Sequence, residues 1–400
     1  MLLKTRLFIY LFSLFLFILN VQASEWSGYM AGELRYFPDD PLSADQYEDI
    51  NVSFSAQPEF SHEWDDGYQT FTFVPFVRLD QHDKERTHFD IRELTWLKAA
   101  DNWELRVGIR KVFWGVTESQ HLVDIINQSD LVDHPDTEEK LGQPMINLAL
   151  IRDWGTVDLF LLPGFRERTF SGHEGRLYGN GIAIDTDQTR YQSGAKENHV
   201  DWALRWEHML GDSDIGLSHF SGTNRDPRFL PGLDDKDQLV LTPYYEKMHQ
   251  TGLDIQITKE DILWKLEAIS RKGQQGRFTA LTAGLEYSFV GVFESDADVG
   301  IVTEYLFDDR KDNAATFFEN DVMLGLRLAL NDVQSTELLA GGIFDLDSSG
   351  SFFLIEGSRR LGESWKLSLE AYLYANIPED DLAYGFRREG FMQLELAWYF

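Results

Sequence analysis

Apolar and polar residues alternate along most of the chain from Trp26 onward. Between residues 366 and 373, for example, every second residue is apolar, and the residues between them include Lys366, Ser368 and Glu370. Alternation with a period of two places one set of side chains on each face of a β-strand. Segments of about ten residues with this pattern, separated by turns, are typical of strands that cross an outer membrane. The pattern therefore predicts an all-β chain.

The connections between these segments also alternate in length. Counted from the N-terminus, the even connections are short, such as 65–67 and 99–101, whereas the odd ones at 113–144, 164–199 and 222–243 are long. Outer-membrane barrels have short periplasmic turns and long outer loops. The sequence predicts a transmembrane antiparallel up-and-down β-barrel of about 18 strands, with about 16 as the alternative, formed by residues 24–400 as one domain. A soluble sandwich would show the same alternation, but the two ends of the chain favour the barrel.

Both ends carry targeting features. Residues 1–23 combine Lys4 and Arg6 with a long apolar run and small residues before position 24, which predicts a signal peptide that is removed on export. The last strand alternates in polarity and ends on Phe400. It resembles the closing strand that the barrel-assembly machinery reads in outer-membrane β-barrels. We therefore expect an integral protein of the Gram-negative bacterial outer membrane with both termini in the periplasm.

The chain is acidic and has no cysteine. Its formal net charge is -31, whereas nucleic-acid binding requires a basic surface, so we expect no nucleic acid partner. Acidic outer loops are compatible with a surface of membrane lipids and lipopolysaccharide, where divalent cations bridge anions. The absence of cysteine excludes thiol chemistry, and the His residues show no metal-ligand spacing. We expect no cofactor, with Ca²⁺ on acidic outer loops as a minor alternative.

The polar face of the strands carries charges of both signs. In a barrel this face lines the lumen, because the apolar face meets lipid. The residues predicted to line the pore are Arg78, Glu104, Arg106, Arg110, Arg205, Glu207, Lys265, Glu267, Glu304, Arg327, Glu370 and Glu395. The arginines at 106 and 110 either bind an anionic solute through their guanidinium forks or stabilise the wall by pairing with neighbouring acids. The interleaving of acids favours pairing.

The connection 113–144 is the main candidate for a functional segment. Residues 118–127 within it suggest a short helix. Its acidic residues are Asp124, Asp130, Asp133, Asp136, Glu138 and Glu139. The third loop of general porins folds into the barrel and narrows the pore, and carboxylates placed there would favour cations. The sequence leaves a second placement open, in which this loop lies outside the barrel in water.

Two strand-to-loop junctions carry a family resemblance. The first contains Arg106, Gly108, Arg110, Trp114 and Gly115, and the second contains Arg152, Trp154, Gly155, Asp158 and Pro163. Together they resemble outer-membrane porin-type proteins of the alginate-export and related uncharacterised groups. The resemblance implies an 18-stranded barrel, and for an alginate exporter also an arginine-rich lumen for a polyuronate. The interior of this chain is less basic, so we carry over the architecture alone.

These observations predict a function in transport. We expect a porin-like channel for the diffusion of small hydrophilic solutes, without enzyme activity, which the connection 113–144 narrows if that loop lies inside the barrel. A sealed barrel that serves as a surface receptor, adhesin or structural protein is the alternative. A lipid-modifying enzyme is the third hypothesis, but His208 and His219 have no neighbouring serine in a distinctive context.

Overall fold

Eighteen antiparallel strands form one sheet in the computed structural model, which describes residues 24–177, 182–234 and 237–400. The predicted signal peptide lies outside the described residues. The strands of this sheet are β1 (Ser24–Tyr36), β2 (Ile50–Trp64), β3 (Gln69–Asp80), β4 (His88–Ala100), β5 (Trp103–Arg110), β6 (Gln143–Arg152), β7 (Gly155–Pro163), β10 (Val200–Leu210), β11 (Ser213–Thr223), β14 (Lys247–Lys259), β15 (Ile262–Gly273), β16 (Gly276–Phe289), β17 (Asp298–Asp308), β18 (Asn320–Ala329), β19 (Glu337–Asp345), β20 (Ser351–Leu361), β21 (Trp365–Ala375) and β22 (Phe391–Tyr399).

The first and last strands close the sheet into a barrel. β1 pairs with β2 on one side and with β22 on the other, in a register that runs from Tyr29 opposite Tyr399 to Tyr36 opposite Met392. A closed sheet leaves no unpaired strand edge, which is the condition for a β-structure to span lipid. The predicted all-β fold and the count of 18 strands are confirmed. The described residues contain no helix that is long and apolar enough to cross a membrane.

Burial along each strand is the reverse of that in a water-soluble sheet. In β1, Glu33 and Arg35 are 4% and 3% exposed, whereas Met30 and Leu34 are both 42% exposed. The apolar side chains therefore point out of the barrel and the charged ones point into it. Such an arrangement is stable when the outer face meets lipid, because the interior then holds the polar groups. The alternation read in the sequence is this division between lipid and lumen.

A β-bulge changes the alternation where β3 pairs with β4. The register shifts between Val74 and Pro75, and proline has no N–H to donate to a neighbouring strand. As a result both Val74 and Phe76 are buried, and Asp90 and Arg92 of β4 are buried as well. Parity read from the sequence did not assign Arg92 to the lumen, and this residue is central to the site described below.

The long connections contain structure that the sequence pattern did not predict. Four short strands, β8 (Ala183–Ile184), β9 (Arg190–Tyr191), β12 (Arg228–Leu233) and β13 (Leu239–Tyr245), form a second sheet within the connections 164–199 and 224–246. The short 3-10 helices are Lys196–Asn198, Val292–Glu294, Lys311–Asn313 and Leu382–Phe386. The helix expected at 118–127 is wrong, since this segment consists of turns and extended chain.

Two apolar clusters occupy the inside of the barrel. The first joins Val123, Ile125 and Ile126 of the connection between β5 and β6 to side chains of β7, β11 and β15, including Phe220. The second lies on β17–β22 and includes Tyr372. Parity alone suggested a lumen that is polar throughout. The two clusters show that parts of the lumen are apolar. Its wall is divided into charged and apolar regions.

Candidate functional site

Residues 111–142, named here the inserted loop, fold back on themselves between β5 and β6. The Asp124 carboxylate accepts hydrogen bonds from the backbone N–H groups of Trp114 and Gly115 at 2.6 and 3.1 Å. The Asn127 side chain accepts from the N–H of residue 112 and donates to the carbonyl oxygens of residues 110 and 141. Side chains thus replace the regular hydrogen bonds that this irregular segment lacks. Burial raises the pKa of Asp124.

Two interior carboxylates hold the tip of the inserted loop by its backbone. Glu267 on β15 accepts from the N–H groups of residues 116, 117 and 123 at 2.7, 3.0 and 3.1 Å. Glu304 on β17 accepts from the N–H groups of residues 118 and 119 at 2.7 and 2.8 Å. Hydrogen bonds to an ionised acceptor are about twice as strong as neutral ones. Because seven strands separate β5 from β17 in the sheet order, the loop reaches these partners through the barrel interior.

The other side of the inserted loop is held by buried ion pairs. Arg92 lies 2.6 Å from Asp130 and 3.3 Å from Asp133, and Arg78 lies 2.7 Å from Asp133. Arg78 also pairs with Glu33 on β1 at 2.8 Å. Asp130 is fully buried. Burial alone would raise the pKa of Asp133, but the surrounding arginines outweigh it and lower this pKa to about 2.

His134 connects the same part of the loop to β21. Its Nε2 lies 2.8 Å from Glu370, and its Nδ1 lies 2.8 Å from Asp136. Burial would lower the pKa of His134, but the two carboxylates outweigh burial and raise the pKa to about 10. The imidazolium is therefore the form that holds the loop to the wall near neutral pH.

We expect the stability of the folded barrel to fall as the pH rises from 6.5 to about 10. The folded pKa of His134 lies above its ordinary value of 6.5, so its contribution is complete below pH 6.5 and is lost as the pH passes about 10. Urea unfolding in detergent at pH 6 and pH 10 measures the effect. His134→Gln should reduce the pH dependence, and the partly exposed His208→Gln serves as the control. An unchanged pH dependence in His134→Gln would contradict the assignment.

The remaining acidic residues of the inserted loop also have basic neighbours. Besides the contact between Asp136 and the histidine at 134, Glu138 lies 3.8 Å from His121, and Glu139 lies 3.5 Å from Lys111. The loop therefore does not present an open ring of carboxylates to the lumen. Its buried aspartates fix the loop, a role that the sequence did not indicate, whereas the Glu138 and Glu139 side chains are 64% and 45% exposed.

The predicted interior residues of β5 form part of a ladder across three strands. Arg106 pairs with Glu104 on the same strand. Arg110 donates to the Asn147 side chain of β6 at 2.9 Å, and Asn147 donates to Asp158 of β7 at 2.8 Å. These contacts correspond to the pairing role considered for the arginines. They leave the wall polar and fix the side chains in place.

A second ladder crosses β10, β11 and β14. Arg205 binds Asp254 through two hydrogen bonds of 2.6 and 2.8 Å and also lies 3.3 Å from Glu207. The strand between them carries Gly216, where an added Cβ would collide with this pair. The absence of a side chain therefore allows the arginine and the aspartate to meet. The Arg205 guanidinium also lies 5.1 Å from the ring centroid of Trp114 in the inserted loop.

The remaining residues predicted to line the pore lie either opposite the tip of the inserted loop (residues 116–123) or on β22, which closes the barrel by pairing with β1. Lys265 and Arg327 approach the Glu118 carboxylate at 3.4 and 2.7 Å. Glu395 on β22 is half-buried and lies opposite Glu33 in the register with β1. The inserted loop thus contacts both charged and apolar parts of the wall.

A cavity of about 560 Å³ lies between the inserted loop and the wall formed by β15–β21. Residues 118–140 of the loop form one side of it, and the connections 309–319 and 376–390 contribute to the other. We refer to it as the loop-side cavity, because these connections belong to the long-loop end of the barrel.

Arg86 and Arg92 are interior residues that the sequence analysis missed. Arg86 lies in the short connection after β3, where it pairs with Glu33 and Asp80, each at 2.8 Å. Arg92 follows the β-bulge. The signal available in the sequence was the spacing of the polar residues Asp90 and Arg92, which are two positions apart and so lie on the same face of a strand.

The fold is a closed antiparallel β-barrel of 18 strands. No known family model and no curated protein matches the sequence. Among solved structures, a triple mutant of the Rhodopseudomonas blastica porin shares 14% identity with a TM-score of 0.45, covering 94% of this chain and 100% of that one. OmpT, an outer membrane protein of Vibrio cholerae in its trimer form, shares 9% identity with a TM-score of 0.49, covering 94% and 99%. Similarity to structures with such low sequence identity gives no information about a transported solute.

Proposed function

We propose that this protein is an outer-membrane channel through which small hydrophilic solutes diffuse, and that the inserted loop narrows it. The observation that carries the proposal is the attachment of this loop across the interior, by Glu267 and Glu304 on one side and by Arg78 and Arg92 on the other. A loop fixed at both sides sets the width of a passage, whereas a free loop would not.

Solutes pass from the loop-side cavity, along the edge of the inserted loop, to the short-turn end of the barrel. The wall beyond the loop carries charges of both signs, including Glu104, Arg106, Lys265, Arg327 and Glu395. Most of these charges are engaged in pairs, so the wall attracts water and ions without binding one of them tightly. Passage then depends on the width left by the loop and on the few charges without partners.

The orientation and the partners are part of the same proposal. Both termini lie in the periplasm, the long connections face outward to lipopolysaccharide, and the assembly machinery reads the strand that ends at Phe400. The barrel has no enzyme activity. Among residues 24–177, 182–234 and 237–400, no group of three His, Asp or Glu side chains is arranged to hold a metal, and Ca²⁺ on the outer loops stays a prediction. The alginate-export resemblance does not extend to the solute.

Purified, folded protein should give stepwise ionic currents in a planar lipid bilayer. The expected record shows discrete, reproducible conductance steps in KCl, because a passage of fixed width conducts a fixed current. Detergent extract from cells that lack the gene is the control. The absence of current from protein that has the electrophoretic mobility of a folded barrel would contradict the channel function. That result would favour a sealed barrel acting as a receptor or adhesin.

A further inference from the structure

The loop-side cavity has an aromatic wall. The rings of Phe352 and Tyr374 are 5.2 Å apart, those of Phe352 and Tyr372 are 5.7 Å apart, and Phe318 lies 6.2 Å from Phe352. Phe386 extends the series at 6.3 Å from Tyr374. All of them line the cavity. Aromatic rings at this density offer an apolar surface and, through their π-faces, a surface that attracts cations.

Carboxylates without a basic partner stand beside these rings. Asp321 is 3% exposed, lines the cavity and accepts one hydrogen bond, from a backbone N–H at 3.1 Å. It lies directly opposite Asp345 in the register of β18 and β19. Glu356 accepts from the Tyr372 hydroxyl at 2.9 Å. Among the described residues neither Asp321 nor Glu356 forms an ion pair with a Lys, Arg or His. Two carboxylates directly opposite each other are unfavourable unless a cation joins them.

The basic residues of the cavity are, in contrast, already engaged. Arg310 binds Asp308 at 2.6 Å, and Arg168 and Arg271 both bind Asp226, at 2.7 and 2.6 Å. The lining contains ten Asp and Glu residues and five Lys and Arg residues. The surplus of charge in the cavity is therefore negative, and it lies on the aromatic side.

We propose that the loop-side cavity binds small organic cations, in which an ammonium or guanidinium group is carried on an apolar or aromatic body. The charged group lies at Asp321 and the apolar body lies on the rings around Phe352. This inference rests on the proposed channel function, because the cavity is then the entrance of the passage.

The chemistry of the cavity separates this class of solute from three others. An anion would meet the surplus of carboxylates and gain no free guanidinium. A neutral aromatic molecule would fill the apolar wall but leave the Asp321 carboxylate buried without a cationic partner, which costs free energy. A bare metal ion would need several oxygen ligands around it, and among the described residues no group of three His, Asp or Glu side chains is arranged to hold one. An organic cation satisfies both the carboxylate and the rings.

Equilibrium binding to the detergent-solubilised full-length protein tests the proposal without any measurement of current. The probes are phenethylammonium chloride and its neutral isostere 2-phenylethanol, compared by titration calorimetry. We expect the ammonium probe to bind about tenfold more tightly, because a hydrogen bond to a charged group is stronger than one between neutral groups. Equal affinities for the two probes would overturn the proposal.

Three variants locate the site. Asp321→Asn should weaken binding of the ammonium probe by about tenfold, and Phe352→Leu by about threefold. The matched control Glu363→Gln, in an exposed turn at the opposite end of the barrel, should bind as the wild type does. Asp321→Asn should fold normally, because it removes the repulsion with Asp345. If it does not fold, the comparison of the two probes on wild-type protein decides.

The outcomes of this experiment and of the bilayer experiment are separate. Selective binding by a protein that passes no current would overturn the channel and leave the binding site standing. Stepwise currents from a protein that does not distinguish the two probes would overturn the binding site and leave the channel standing. Unchanged affinity in Asp321→Asn would also remove Asp321 from the proposal.

Discussion

Replacing Arg92 with methionine should destabilise the barrel by about 3–5 kcal/mol, the largest effect that we expect from one substitution. Arg92 is 1% exposed and is shared by Asp130 and Asp133. Its guanidinium also lies 4.3 Å from the ring centroid of Phe76. Methionine fills a similar volume, but it leaves Asp130 buried with only the Thr169 hydroxyl and, at 3.9 Å, His88 beside its carboxylate among the described residues. Urea unfolding in detergent, followed by tryptophan fluorescence, measures the loss.

Two further variants separate charge from packing in this prediction. The exposed Arg360→Met should change stability by less than about 0.5 kcal/mol. Adding Asp130→Asn to Arg92→Met should recover part of the loss, because it removes the uncompensated buried charge. Equal stabilities for Arg92→Met and the wild type would mean that the ion pairs do not hold the inserted loop.

Removing both loop anchors, in Glu267→Ala with Glu304→Ala, should enlarge the conductance of the channel and make it noisier. The two carboxylates accept five backbone N–H groups of the loop. Each such hydrogen bond to a charged group contributes about 1.5–3 kcal/mol, so without them the loop tip is held to the wall by fewer contacts, such as those of Glu118 with Lys265 and Arg327. Single-channel recording in KCl is the measurement.

Glu286→Ala is the matched control for the anchor variant. Glu286 is also an interior carboxylate, but its hydrogen bond goes to Arg327 on β18, two strands away from its own strand β16. Its removal changes the interior charge without releasing the loop, so the conductance should stay close to that of the wild type. A double variant with an unaltered conductance would show that the loop tip does not limit the passage.

The barrel could be predicted from the sequence because lipid imposes a strict rule on every strand. Apolar side chains such as Leu394 and Leu396 must face outward on β22, so the alternation is visible wherever the strand is regular. The rule fails at the bulge near Pro75, where hydrogen bonding and parity both change. It also does not apply to β12 and β13, which lie in the long connections away from the lipid-facing wall.

The site could be predicted only in part, because its contacts join residues that are far apart in the sequence. The acidic residues of the inserted loop were recognised, but their partners, such as Arg92 for Asp130 and Arg78 for Asp133, come from distant strands. A sequence pattern shows that a side chain points into the barrel and does not show what stands opposite. The aromatic wall around Phe352 was not predicted from the sequence, for the same reason.

The residues that hold the inserted loop also determine at which stage of folding the loop can enter the barrel. Its partners lie on β3 and β4, on β15 and β17, and on β21, so they are together only after nearly the whole chain has been assembled. Contacts between residues this distant in sequence form slowly. We therefore expect the barrel to form first, without the loop inside it, and the loop to enter last. Protease cleavage between residues 111 and 142 during refolding would report that final step.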